Sequence, residues 1–171
     1  MGYNTDLYGS FDLDKPLTPE HKAYLEKFAE TRRMNRDAEI ASKIDDPIRI
    51  AAGLPIGDNG EYFVNGRGFC GQDDDESVKE SNHPPAGQPG LWCQWVPNNG
   101  GTAIIWDGGE KFYDYVDWIE YLIENFLKPW GYVLNGEVEW IGEDSNDRGM
   151  IVIKNNVVKV KFAKITFEEV E

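Results

Sequence analysis

Tryptophan and arginine side chains are the residues of this chain best suited to binding chemistry. An indole ring with one wet edge is common at stacking sites and interfaces, and a guanidinium group can hold an anion against such a ring. An aspartate beside an arginine in an acidic loop can orient that arginine. The candidate ligand- or partner-binding residues are Trp92, Trp95, Asp147, Arg148, Arg32 and Arg33. The alternative interpretation is that the tryptophans are core residues and the arginines lie on the surface.

Motifs for catalysis and metal binding are missing from the sequence. His21 and His83 are the only histidines and there is no Cys-x-x-Cys pair, which excludes a zinc site with typical spacing. Residues 144–149 superficially match a calcium loop, but Arg148 takes the fifth position, where an oxygen ligand is required. The Gly-x-Gly-x-x-Gly pattern of residues 66–71 precedes acidic residues that would repel a pyrophosphate. We therefore predict no catalytic residues, no metal and no cofactor, and a non-enzymatic role is favoured.

The charge of the chain restricts its partners. It contains 31 acidic and 17 basic residues, which gives a formal net charge of -14, while 13% of its residues are aromatic. Disordered acidic chains lack such aromatic content, so we expect the charge to lie on a folded domain. A surface of this sign repels DNA and anionic lipid and attracts basic protein surfaces. We expect no direct nucleic-acid binding and no membrane association.

The cytoplasm is the expected location. The first residues show no basic segment followed by an apolar run, which a secretory signal would need. The apolar-rich stretch of residues 112–127 carries four acidic residues and is unsuited to cross a bilayer. Cys70 and Cys93 are the only cysteines, and in a reducing compartment we expect both to be thiols.

The elements that must position these residues begin with a strand and a helix. Alternation over residues 3–13 is typical of a strand with one buried face. Thr18 followed by Pro19 is a strong helix start, and the helix is expected to end between residues 31 and 34. Its last turn would carry Arg32 and Arg33, followed by Arg36, and these cations would complement the helix dipole.

The middle third, residues 37–90, is rich in glycine and proline and is predicted to be irregular. Within it we predict a short strand at 61–64 and a helical turn at 48–52. The acidic run 73–76 is expected to be a solvated loop.

The second half is predicted to be a hairpin, a helix and two further hairpins. Residues 91–96 and 102–106 form the first hairpin, and an apolar stripe over 112–126 indicates the helix. The last two hairpins turn at Asn135-Gly136 and at Asn155-Asn156.

These two turns predict which residues face each other. Val133 would then lie opposite Val138 and Ile153 opposite Val158, on a buried face shared with Trp140 and Phe162. The other face would carry mixed charges, and residues 168–171 would be frayed. The predicted fold is a single α+β domain over residues 1–171, a mainly antiparallel sheet with two helices packed on one face and a C-terminal pair of β-hairpins.

Several segments carry a family resemblance: residues 2–6, 17–21, 31–34, 87–95, 106–113, and 130–132 through to 147–149. They resemble a family of small uncharacterised proteins of bacteriophages and bacterial (prophage) genomes. The resemblance spans nearly the whole chain and implies a single domain. It implies no activity and no catalytic residue. The setting that it implies is that of phage accessory genes, many of which encode compact acidic proteins that bind host or defence components.

Three functions follow as hypotheses. The first is a non-enzymatic acidic interaction protein, a phage accessory or anti-defence factor that blocks a basic surface of a host protein in the host-cell cytoplasm. The second is a small-ligand binding protein that holds a nucleotide-like anion in an aromatic and arginine pocket near Trp92, Trp95 and Arg148. The third is an enzyme with carboxylate chemistry. A homodimer formed by pairing of the edge strand near residues 162–167 is a further alternative.

Overall fold

The computed structural model describes residues 2–65 and 75–170. Its strands are β1 Thr5–Leu13, β2 Asn35–Arg36, β3 Val78–Glu80, β4 Trp95–Pro97, β5 Ala103–Trp106, β6 Leu134–Gly142, β7 Arg148–Lys154 and β8 Val157–Phe162. Its helices are α1 Pro19–Glu30, α2 Ala38–Ser42, α3 Pro47–Ala51 and α4 Tyr115–Leu122, with a π-helical extension of α4 over Ile123–Leu127. In these ranges no helix has the length and apolar character needed to cross a membrane.

The main sheet has six strands in the order β4-β5-β1-β6-β7-β8, and all of its strand pairs are antiparallel. The predicted α+β class with a mainly antiparallel sheet is therefore confirmed. Strand β1 lies inside the sheet, with Leu7 and Phe11 buried and the alternating Asp6 and Tyr8 exposed. The sheet thus has an inner face in the core and an outer face in solvent.

Helices α1 and α4 pack on the inner face. The Thr18 hydroxyl accepts a hydrogen bond of 3.2 Å from the His21 amide, which confirms the predicted start of α1. Phe28 of α1 contacts Trp118 of α4, with ring centroids 5.8 Å apart, and Phe126 of the π-helical extension at 5.3 Å. These rings join the sheet residues in a single core, so the two predicted helices do lie on one face.

The predicted hairpin at Asn135-Gly136 is wrong. Both residues lie within the nine-residue strand β6, which pairs along its whole length with β1. Gly136 has φ +143°, and a Cβ there would lie 2.6 Å from the Ser10 carbonyl oxygen. The glycine therefore permits close approach of two strands rather than a turn. Val138 consequently lies opposite Ile151 and Gly9, not opposite Val133.

The last hairpin is confirmed. Strands β7 and β8 turn at Asn155 and Asn156, both at positive φ, and Ile153 lies opposite Val158 as predicted. The prediction of a buried Phe162 is wrong, because this side chain is 79% exposed and only touches the edge of Trp140.

The predicted strand at 61–64 is wrong, because these residues form turn and coil. The described parts of the middle third are instead held in place by buried arginines. Helix α3 does match the predicted helical turn at 48–52, and β2 pairs with β3. The ion pairs are Arg36 with Asp75 at 3.1 Å and Arg49 with Asp46 at 2.9 Å. Asp75 therefore forms an ion pair and is not simply part of a solvated loop. Residues 73–74, Cys70 and the glycine pattern at 66–71 lie outside the described residues.

Candidate functional site

Trp95 and Trp92, the two tryptophans singled out from the sequence, have different surroundings. Trp95 is only 1% exposed, its indole donates a hydrogen bond of 2.8 Å to the Tyr115 carbonyl oxygen, and its ring lies 5.4 Å from that of Phe11. Trp92 is half-buried. Trp95 therefore serves the core, as the alternative interpretation states.

Arg32 and Arg33 follow α1 and contact the chain that returns past it. Arg32 donates hydrogen bonds of 3.0 Å to the Ser81 carbonyl oxygen and to Asn82 Oδ1. Arg33 is buried, its guanidinium lies 4.2 Å above the Phe28 ring, and it donates to the Glu61 carbonyl oxygen. Burial lowers the pKa of Arg33. Both residues hold the irregular segment against α1.

Arg148 lies on the outer face of the sheet, where it forms an ion pair of 2.9 Å with Glu139 on the neighbouring strand. Trp95 lies on the inner face, so the sheet separates the two residues. The six residues selected from the sequence therefore do not form a single aromatic and arginine pocket.

Two side chains that often serve in catalysis are packed into the structure. Cys93 is buried, and burial raises its pKa to about 12, so it is not poised as a thiolate. The His21 ring stacks on Trp130 at 3.8 Å and shares a hydrogen bond of 2.8 Å with the Tyr132 hydroxyl. Burial lowers the pKa of His21. In the described ranges no group of histidine, cysteine and acidic residues could hold a metal ion.

Asp147 joins two distant parts of the chain. Its Oδ1 atom accepts a hydrogen bond of 2.9 Å from the Trp140 indole, and its Oδ2 atom accepts one of 2.7 Å from the Tyr3 hydroxyl. The Tyr3 hydroxyl also accepts a hydrogen bond of 3.0 Å from the Asp144 amide. The loop between β6 and β7 is therefore attached to the segment that enters β1.

Further acidic and tyrosine residues lie close to the contact between Tyr3 and Asp147. The Tyr3 amide donates to the Tyr113 hydroxyl at 3.2 Å, and the Asn4 amide donates to Glu143 Oε1 at 2.7 Å. The Tyr115 ring lies 5.8 Å from that of Trp140. We name this surface the acidic pole; it comprises Tyr3, Tyr113, Asp114, Tyr115, Asp117, Glu143, Asp144 and Asp147. Lys111 adjoins it through a bond of its amide to Asn4.

A cavity of about 230 Å³ opens in the acidic pole, lined by Asp114, Tyr115, Val116, Asp117 and Trp140. Burial, with a smaller effect of Asp117, raises the pKa of Asp114. Burial, assisted by Asp147 and Tyr3, raises the pKa of Tyr115 to about 12, so its hydroxyl is neutral near pH 7. Two carboxylates beside the half-buried Tyr115 ring favour a cationic group, because the charges and the exposed part of this ring both attract it.

The sequence patterns did not single out this cavity. Asp114 has the left-handed conformation, with φ +59°, and precedes the first residue of α4 without capping it through its side chain. The spacing Asp114-Tyr115-Val116-Asp117 at a helix start was the available signal. Its meaning depends on Trp140, which comes from a strand far along the chain.

No protein-family model, no curated protein and no solved structure matches this chain.

Proposed function

We propose that this chain is a non-enzymatic interaction protein whose acidic pole binds a basic surface of a partner protein. The cavity beside Trp140 receives one lysine or arginine side chain of that partner. The observation that carries the proposal is the lining of this cavity by Asp114, Asp117, Tyr115 and Trp140. In the phage setting that the resemblance implies, the partner is a host protein in the host-cell cytoplasm, and binding blocks its basic surface.

Electrostatics supports a cationic rather than an anionic occupant. The pole brings five carboxylates together, and the whole chain carries a formal charge of -14. Such a field speeds the approach of a basic surface and repels nucleic acid and phosphate ligands. It also requires that binding weaken as salt is added, because exposed charges are screened beyond roughly 10 Å at about 0.1 M salt.

The cavity supplies the specificity that net charge lacks. A guanidinium or ammonium group over an aromatic face contributes about 0.5–2 kcal/mol, depending on how far it is desolvated. Trp140 is held in place by its bond to Asp147, so its ring is pre-oriented. A partner that inserts a cation here gains both a ring contact and two carboxylates, whereas a partner that touches only the rim gains little.

The test compares two variants with the same change in charge. Asp114→Asn with Asp117→Asn neutralises the cavity, and Asp58→Asn with Glu76→Gln neutralises two exposed acids outside the pole. An arginine-rich peptide serves as the probe, and its dissociation constant is measured at low and high salt. We expect the cavity variant to bind about tenfold more weakly and the control to bind within about twofold of wild type.

Equal weakening in both variants would mean that the peptide responds to net charge alone and would overturn the role of the cavity. Capture of the tagged protein and its cavity variant from bacterial lysate then identifies the partner. A basic protein that is retained by wild type, lost at high salt and absent from the variant is the expected result.

A further inference from the structure

A groove of positive charge, opposite in sign to the acidic pole, lies at the β8 edge of the sheet, mainly against its outer face. Its volume is about 500 Å³, and it is lined by strands β6 to β8 and by the first residues after β8. We name it the basic groove; its cationic and apolar residues are Arg148, Met150, Lys161, Phe162, Lys164 and Ile165. Glu139 also lines it and is paired with Arg148, so the groove has an excess of positive charge.

The segment of residues 163–170 follows β8 and is exposed along its whole length. Phe167 and Val170 are 95% and 94% exposed, and Glu168 and Glu169 lie between them. Two apolar side chains left in water forgo the stabilisation that burial would give each of them. The order apolar, acid, acid, apolar complements a groove that is apolar and cationic.

We propose that the basic groove receives residues 167–170 of a second copy of this chain. Because Lys164 and Ile165 line the groove, the segment leaves the body at the rim of its own groove. Only residue 166 separates this rim from the inserted residues 167–170, so the two copies must meet rim to rim, and the inserted residues then extend about 13 Å along the partner's groove. The result is a two-fold symmetric dimer in which each copy inserts its segment into the other.

Charge also argues for this surface over others. Two chains of formal charge -14 repel each other, so a dimer forms where a basic surface meets an acidic segment. Direct pairing of the two β8 edges is less favourable, because Lys159 and Lys161 of both copies would then lie side by side. Insertion of residues 167–170 instead places Glu168 and Glu169 beside Lys161 and Lys164.

The test is a charge exchange on the full chain, followed by sedimentation from about 1 to about 100 μM. One variant carries Glu168→Lys with Glu169→Lys, and the other carries Lys161→Glu with Lys164→Glu. Each alone should raise the dimer dissociation constant at least about tenfold, because its segment or its groove now repels the partner. Mixing the two variants should restore dimers, since both contacts are then between opposite charges.

The control is Lys154→Glu with Lys159→Glu, which makes the same charge change outside the groove and should leave the dimer intact. A wild-type chain that stays monomeric over this range would overturn the proposal, whether its groove is empty or filled by its own segment. So would variants that fail to restore each other on mixing. A dimer that the control tightens would assign the contact to the β8 edge instead, because the change at position 159 relieves the lysine repulsion there.

Discussion

The Trp140 indole donates a hydrogen bond of 2.9 Å to Asp147 across the β6–β7 turn. Trp140 is 2% exposed, so its N–H group would be unsatisfied without this acceptor. Because Asp147 also binds the Tyr3 hydroxyl, one carboxylate orders the wall of the cavity and the entry to β1 together. Asp147, singled out from the sequence as a binding residue, therefore acts here by positioning its neighbours.

Replacing Asp147 by Asn should destabilise the fold. An amide offers one acceptor oxygen where the carboxylate offers two, so either Trp140 or Tyr3 loses its partner. We expect the free energy of unfolding to fall by about 1–2 kcal/mol, measured by urea denaturation. The exposed Asp6 serves as control through Asp6→Asn, which makes the same chemical change without loss of a buried bond. A fall of equal size in both variants would contradict the role of Asp147.

Binding of a basic peptide should depend on the protonation of Asp114. Burial and Asp117 raise the pKa of Asp114 above its ordinary value of 3.8, so it becomes neutral at a higher pH than a surface aspartate does. A neutral carboxyl attracts a cation less, so peptide affinity should fall as the pH drops through this raised value. Titration of the peptide at several pH values measures the effect. Asp114→Asn should weaken binding near pH 7 and flatten the pH profile, whereas Asp58→Asn should change neither.

The two turn asparagines should respond differently to replacement by glycine. Asn156 accepts a hydrogen bond of 2.7 Å from the Leu134 amide and donates one of 3.0 Å to the Tyr132 carbonyl oxygen. Asn156→Gly should therefore lower the free energy of unfolding by about 1–2 kcal/mol, although glycine suits its positive φ. Asn155 bonds to Asn135 through its backbone amide, which glycine retains, so Asn155→Gly should be neutral or slightly stabilising. Urea denaturation of both variants checks the contrast.

Removal of the Asp75 carboxylate should cost stability at neutral pH. Arg36 is 1% exposed, and its ion pair with Asp75 joins strand β2 to the middle third. Because Asp75 keeps part of its surface in water, we expect Asp75→Asn to cost about 1–3 kcal/mol, less than loss of a fully buried partner.

Asp75→Asn should also remove the pH dependence that this ion pair gives to the free energy of unfolding. Burial alone would raise the pKa of Asp75, but hydrogen bonds from Ser77 and the charge of Arg36 outweigh it and lower that pKa below 3.8. The stabilisation is therefore complete above the unfolded value and is lost as the pH falls through the folded one. Denaturation curves of wild type and Asp75→Asn should converge below pH 3.8. A constant difference between them would exclude the ion pair as its source.

Strand β6 shows where local patterns fail. Asn135-Gly136 has the composition of a tight turn, and a two-residue turn there would need only local contacts. Instead these residues continue a ladder of nine pairs between β1 and β6, which buries Val138 and Trp140 against the core. The glycine is needed in the observed structure too, but for the approach of β1.

The arginines show the same limit. Arg33 and Arg36 follow a helix, where a cation is favoured near the surface, and their charge gives no sign of burial. Both are buried because Glu61, Gln88 and Asp75 return to the end of α1 from later in the chain. That return could not be derived from the irregular residues 37–90.

The amino-acid sequence by itself determined the α+β class, the first strand (predicted over residues 3–13), the capped start of α1 and the turn at Asn155-Asn156. Each depends on side-chain alternation or on bonds between residues a few positions apart. The tertiary structure alone decided the strand order, the burial of Arg33, the separation of Trp95 from Arg148 and the assembly of the acidic pole. These features depend on contacts between residues far apart in the chain; Tyr3 and Asp147, for example, are more than a hundred positions apart. The free energy of such contacts is gained only when the whole sheet has formed.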